Sequence, residues 1–189
     1  VANKLVSTTW MTLGLIMLFI GMFFKASIFP FHFWAPDVYE GSPTITTALM
    51  STLVKVAAIG SFFYIASVLS VAMSAEMIIV IAALSMLTMT VANITALRQT
   101  NIKRMMAYSG ISHAGFMIMT LIAGDQAGTT VLYYAAAYSF AGLAAFGVIM
   151  AVCKDKDNEE ISNFYGLFNR KPVLAVVLAA ALMSLGGVP

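Results

Sequence analysis

Two lysines stand inside apolar sequence: Lys25 in "GMFFKASIFP" and Lys55 in "ITTALMSTLVKVAAIGSFFYIAS". A lysine at the centre of a bilayer costs about 2.5–3.5 kcal/mol even on the mildest insertion scale. An apolar residue would fill the same space at lower cost. Low dielectric disfavours the ammonium form, so a buried lysine either meets an opposite charge or gives up its proton. Neither lysine has a carboxylate in mid-span to meet. Asp37, Glu40, Glu76 and Asp125 fall at ends or connections, and Asp155, Asp157, Glu159 and Glu160 occupy the last connection. The counter-charges therefore come from outside this stretch, or the lysines exchange protons; both describe a proton-handling site. Thr47, Ser51 and Lys55 recur at i, i+4 and i+8, along one face of a helix. Lys55 lies roughly 18 Å into its span, too deep for its amine to reach the interface comfortably. Lys25 is followed by Pro30 and Pro36, and a broken helix is tolerated at membrane depth only where it is buried in protein or lines a wet cavity. A half-buried cation beside such a break is a pattern shared with ion transporters.

Other polar groups inside the apolar runs carry weaker signals. "AYSGISHAGFMIMT" places Ser109, Ser112 and His113 on consecutive turns, with Thr120 further along. Two readings of His113 stand side by side: a proton relay and a hydrogen bond to a neighbouring helix. Thr88, Thr90 and Asn93 read as contacts that hold helices together. "YYAAAYSFAGLAAFG" and "GMFF" read as small-residue packing and interface aromatics, while His32 and Trp34 beside the break fit no single reading. The one cysteine, Cys153, excludes a disulfide framework and any Cys-based metal or iron–sulfur site within these 189 residues.

The elements that position these groups follow from composition. Of 189 residues 61% are apolar and 10% charged, against about 45–50% and 25% in soluble domains, and the mean hydropathy is +0.93. Apolar stretches near the span length of about 20 residues recur throughout, without the period-two alternation of membrane barrels. The sequence predicts an all-α, polytopic transmembrane helical bundle containing a proline-broken helix. It forms a single membrane domain over 1–189, with segments at about 10–36 (broken), 43–70, 76–97, 105–123, 128–153 and 172–189. Pro43 and Pro172 each suit a first helical position. Arg98, Lys103, Arg104, Lys154, Lys156, Arg170 and Lys171 fall on the side of the connections at 30–43, 97–105 and 153–172, against Lys4 alone on the other. That bias places the first side in the cytoplasm or its organellar equivalent. The run "KDKDNEEISNF" reads as a solvated connector or docking surface. The chain starts without Met and stops within an apolar run, so it reads as a fragment of a longer polytopic protein. Nothing in it points to nucleic acid; the lipid bilayer is its medium.

"KASIFPFHFWAPDVYEGSPT" together with "NIKRMMAYSGISHAGFM" resembles the antiporter-like membrane subunits of proton-pumping NADH:quinone oxidoreductase, respiratory complex I. The tyrosine-containing "PDVYEGSP" is similar to the N-type subunits, not the L and M types. The resemblance covers nearly the whole chain and implies the family's seventh through twelfth helices, hence a partial antiporter-like fold. The break at Pro30 would match the seventh helix, and "SLGGVP" the start of the break in the twelfth. Lys25 would be the broken-helix lysine that modulates its neighbours, paired with a glutamate on an earlier helix. Lys55 would be the central carrier of the transported proton and His113 a relay on the hydrated axis. Charge moving near Lys25 would load Lys55 from the cytoplasmic side and drive its proton along the His113 axis. Phe116 stands where a tyrosine is expected in an "SHAGY"-like motif. The resemblance also implies a translocase whose redox centres (NADH, FMN, iron–sulfur clusters and quinone) sit in partner subunits. No cofactor would bind this chain, its partners would be the other membrane subunits of the complex, and it would sit in a bacterial inner membrane or an organellar one. Two other readings are a subunit of a monovalent cation/proton antiporter and a structural bundle that scaffolds a membrane complex.

Overall fold

The first apolar run winds as α1 (Thr8–Ala26) and stops before either of its prolines. In the computed structural model, residues 8–68, 75–122, 127–154 and 158–187 are described. Lys4, Asp125, Asp155, Lys156, Asp157, Val188 and Pro189 lie outside the described residues. The chain leaves α1 at Ser27, whose φ of 62° is left-handed, and turns through Pro30 into α2 (Trp34–Gly41). The freed backbone groups find partners, as apolar surroundings demand. The Phe29 amide donates to Thr88 Oγ1 at 3.1 Å, and the Trp34 indole donates to the Phe24 carbonyl at 2.9 Å. Thr88 thus holds the break to another helix, whereas Thr90 and Asn93 are exposed. Pro36 does not break anything: it is buried in the first turn of α2, where a missing amide hydrogen loses no intrahelical bond.

The second run is continuous but not uniform. It passes from α3 (Thr44–Leu49) through a π-helical turn (Met50–Val54) into α4 (Lys55–Val68). Pro43 stands one residue before α3, at its N-cap position. The Thr52 hydroxyl donates to the Ala48 carbonyl at 2.7 Å, an i−4 bond that competes with the regular backbone ladder. The rest of the chain forms α5 (Ala75–Ala96), α6 (Ile102–Met119) with a 3₁₀ turn to Ile122, α7 (Ala127–Cys153), a short α8 (Leu167–Arg170) and α9 (Pro172–Leu185). Pro172 opens α9 at its first turn. The helices reaching through Thr44–Ile65, Ile78–Ala96, Ile102–Ile122 and Ala127–Cys153 are long and apolar enough to cross a membrane.

α6 is the hub. In its span 61% of residues are buried, against 22–44% in the other three. The reason is in its side chains: Ala107, Gly110, Ser112, Ala114 and Gly115 are buried small residues that let neighbours approach on every side. A Cβ on Gly115 would lie 2.9 Å from Met89 Cγ and 3.2 Å from the Ser85 carbonyl oxygen, and the Ser85 hydroxyl donates to the Gly115 carbonyl at 2.8 Å.

Charge gathers at the N-terminal end of α6. Asn101 caps the helix, its side chain accepting from the amides of Lys103 and Arg104. Arg104 meets Asp37 and Glu40 of α2, each at 2.7 Å. Lys103 is only 2% exposed. Its amine donates to the Ser42 carbonyl at 2.8 Å and pairs with Glu159 at 2.9 Å. Backbone bonds from Ile102 to Glu159 and from Ile161 to Thr100 complete the junction. The connections at 30–43, 97–105 and 153–172 are thereby tied together.

Gly115→Leu should overpack the α5–α6 contact by about 1–3 kcal/mol, seen as a lower thermal midpoint of the purified protein. Lys103→Ala leaves the Ser42 carbonyl and Glu159 without their shared donor, a loss of about 1–3 kcal/mol that the same melting measurement would register.

Candidate functional site

The stripe Thr47, Ser51 and Lys55 faces inward, all three being at most 2% exposed, and Thr52 joins them at 0%. The π turn sits immediately before Lys55, and turns of this kind recur at functional sites. Thr47 is held by its hydroxyl to the Tyr39 carbonyl at 3.1 Å, and Thr52 packs against α7, where a Cβ on Gly142 would come within 3.1 Å of its methyl. Among the described residues the Lys55 amine has no hydrogen-bond partner. It sits 5.9 Å from the centroid of the Tyr39 ring, within reach of a cation–π attraction. Tyr39 is the tyrosine of "PDVYEGSP", buried at the junction of α2 with α6.

Gly110 lets the amine in. A Cβ at that position would lie 2.9 Å from Lys55 Nζ and 2.9 Å from Tyr138 Oη. The amine and the phenol therefore share one small space, no further apart than twice that distance. The Tyr138 hydroxyl shares a hydrogen bond of 3.0 Å with Ser51 Oγ, one turn before Lys55. Three residues after Gly110 comes His113, 8% exposed. Its Nδ1 shares a hydrogen bond of 2.7 Å with the Tyr134 hydroxyl, and its ring centroid lies 5.0 Å from that of Tyr138. His113, Tyr134 and Tyr138 border a recess of about 80 Å³ that extends to Ser184 at the end of α9. A recess of that size with His113, Tyr134, Tyr138 and Ser184 in its wall has room for water.

Lys55 and His113 are thus brought together, while Lys25 is not part of their cluster. Lys25 lies in the last turn of α1 with an exposed side chain. The packed face of α1 carries Phe19 and Phe23 instead, whose rings meet Phe62 of α4 at 5.3 and 5.6 Å. His32, in the break, stacks on Phe29 at 5.6 Å, and its buried Nδ1 has no partner among the described residues. Phe116 is 41% exposed and stacks on Tyr134 at 6.3 Å. It offers ring contact only, and the hydroxyl that meets His113 comes from Tyr134. Tyr134 and Tyr138, taken from the sequence as packing aromatics, line the site. Among the described residues no group of three or more His, Cys, Asp or Glu side chains is placed to hold a metal.

The arrangement can bind, hold and pass a proton: one buried amine, one imidazole and three phenols, with hydroxyls from Ser51 and Thr47 alongside. Comparisons with known proteins place it in context. NADH-quinone oxidoreductase subunit N of Flavobacterium johnsoniae is 54% identical over 95% of this chain and 40% of its own length. The protein of the same name from Cytophaga hutchinsonii is 43% identical over 94% of this chain and 39% of its own. The chain thus spans about two-fifths of the relatives it matches. Among solved structures, respiratory complex I from Thermus thermophilus with bound aureothin contains a chain that superposes with a TM-score of 0.80 at 36% identity, over 99% of this chain and 41% of that one. A chain of the archaeal membrane-bound sulfane sulfur reductase gives 0.82 at 28% identity, over 89% and 35%. The family model described as NADH:quinone oxidoreductase/Mrp antiporter, transmembrane, matches residues 1–189. From the inward lysine to the whole length of its helices, this chain belongs to the transmembrane family of the NADH:quinone oxidoreductases and Mrp antiporters.

Proposed function

We propose that this chain is part of an N-type, proton-translocating membrane subunit of a bacterial NADH:quinone oxidoreductase. It would sit in the inner membrane, among the other membrane subunits of the complex. Electron transfer from NADH through FMN and iron–sulfur clusters to quinone belongs to partner subunits, and this chain moves protons in response. The observation that carries this reading is Lys55: an amine 2% exposed, with no hydrogen-bond partner among the described residues, inside a helix apolar enough to span a bilayer. A bundle that needed only to brace a complex would be better served there by an apolar side chain. Names shared with relatives such as that of Flavobacterium johnsoniae support the choice of enzyme.

In this reading Lys55 takes a proton from the cytoplasmic side and releases it toward His113 and Tyr134. The charged junction around Lys103 and Arg104 marks the cytoplasmic end, since it gathers the connections on the side richest in basic residues. Lys25 acts from a distance. It is exposed on α1, where a carboxylate on a helix outside this stretch can reach it. A change in that pairing alters the field at Lys55.

A second reading has its own support, because the family description covers Mrp antiporters as well. An antiporter subunit would use the same lysine to exchange a proton for a cation. Flavin and iron–sulfur absorbance in the purified particle favours the oxidoreductase; cation-dependent antiport by a particle without them favours the exchanger.

Lys55→Ala should abolish or strongly reduce proton uptake coupled to NADH oxidation in membrane vesicles; an unchanged ratio of protons to electrons would overturn the proposal. Lys25→Arg should be milder than Lys25→Ala in the same assay, because arginine keeps the charge. Equal losses would remove Lys25 as an electrostatic modulator.

A further inference from the structure

Tyr138 touches both halves of the site. Its hydroxyl is buried near the middle of α7, 5% exposed, and shares its hydrogen bond with Ser51 on the Lys55 side. Its ring faces His113 and borders the recess that His113 and Tyr134 also line. Gly110 opens the common space in which Tyr138 Oη and Lys55 Nζ both lie. A phenol suits such a place chemically, since one oxygen is donor and acceptor at once.

We infer that Tyr138 is the relay through which Lys55 hands its proton to the His113 side. The inference rests on the proton-translocating reading of Lys55. While Tyr138 is bonded to Ser51, the Lys55 amine has no hydrogen-bond partner among the described residues, and this is the resting arrangement. A side-chain rotation of Lys55 brings its amine onto the phenol oxygen. One Lys55 N–H bond breaks as that hydrogen binds Tyr138 Oη. The hydrogen formerly on Oη leaves to a water in the recess, and that water gives up one of its hydrogens to Nε2 of a neutral His113 whose Nδ1–H donates to Tyr134. The positive charge moves from amine to imidazole, the phenol and the water end as they began, and no oxidant or reductant is consumed. Ser51 holds the relay in its waiting position and is a positioning residue.

The test uses membrane vesicles carrying the intact complex, with proton uptake measured per NADH oxidised. Tyr138→Phe keeps the ring and removes the relay, so uptake should fall to the level of Lys55→Ala. Ser51→Ala breaks the same hydrogen bond but keeps the phenol, so uptake should fall, but by less than in Tyr138→Phe. Equal loss in both variants would mean that the hydrogen bond is structural, and would overturn the inference. Normal uptake in Tyr138→Phe with none in Lys55→Ala would overturn the relay alone, whereas normal uptake in Lys55→Ala would overturn the reading beneath it. Should Tyr138→Phe fail to assemble, 3-fluorotyrosine at position 138 preserves shape while making the phenol more acidic. It should change the uptake rate at least twofold, and an unchanged rate would count against the relay.

Discussion

An ammonium group among apolar helices is the constraint around which this structure is arranged. The cost of burying it can be met by a carboxylate, by hydroxyls and aromatic faces, or by losing the proton. The chain places the second set around the amine without a hydrogen bond to it among the described residues: the Tyr39 ring, the hydroxyls of Ser51 and Tyr138, which bond each other, and an absent Cβ at Gly110 that makes room. It supplies no carboxylate to Lys55 among the described residues, although it spends three at the end of the bundle on Lys103 and Arg104. The two kinds of site are chemically opposite. Lys103 has a fixed anion and a fixed carbonyl as its partners. Lys55 has uncharged side chains beside it, those of Tyr39, Ser51 and Tyr138.

Of the four helices long and apolar enough to cross a membrane, α6, which packs beside this amine, has the lowest hydropathy. α6 presents small residues on several faces, so α2, α4, α5 and α7 can all close upon it. Its polar side chains then meet partners, not lipid. The Thr88 hydroxyl satisfies the Phe29 amide where the irregular chain of the break would otherwise leave it bare, and the Ser85 hydroxyl adds a bond to the Gly115 carbonyl within α6. The break between α1 and α2 is stable for that reason, and α2 is free to use its acidic residues on Arg104.

Much of the plan was legible in the residues. Lys55 announced itself because a charge in an apolar run has few explanations, and the inward stripe with Thr47 and Ser51 followed from helical spacing alone. The break was legible from Pro30. Pro36 misled because its place relative to the new helix start, not its presence, decides what it does. Lys103 was hidden by hydropathy, since it lies among polar residues and only the returning chain at Glu159 buries it. Tyr134 and Tyr138 were hidden differently. Tyrosine in an apolar helix is common near membrane interfaces, and nothing local says that Tyr138 turns toward a lysine some eighty residues earlier in the chain and Tyr134 toward His113. Their role depends on which helices meet, and that is a property of the fold.

The π turn before Lys55 has a geometric meaning of its own. A regular helix advances about 100° per residue, and the wider turn at Met50–Val54 absorbs one residue more than regular winding would. The segment ahead of it, anchored by Thr47 on the α2 carbonyl, and the segment behind it, aimed at Gly110, are therefore offset in phase from what unbroken winding would give. Shortening the turn by a single residue would swing one of the two out of register, so chain length there is fixed as firmly as residue type.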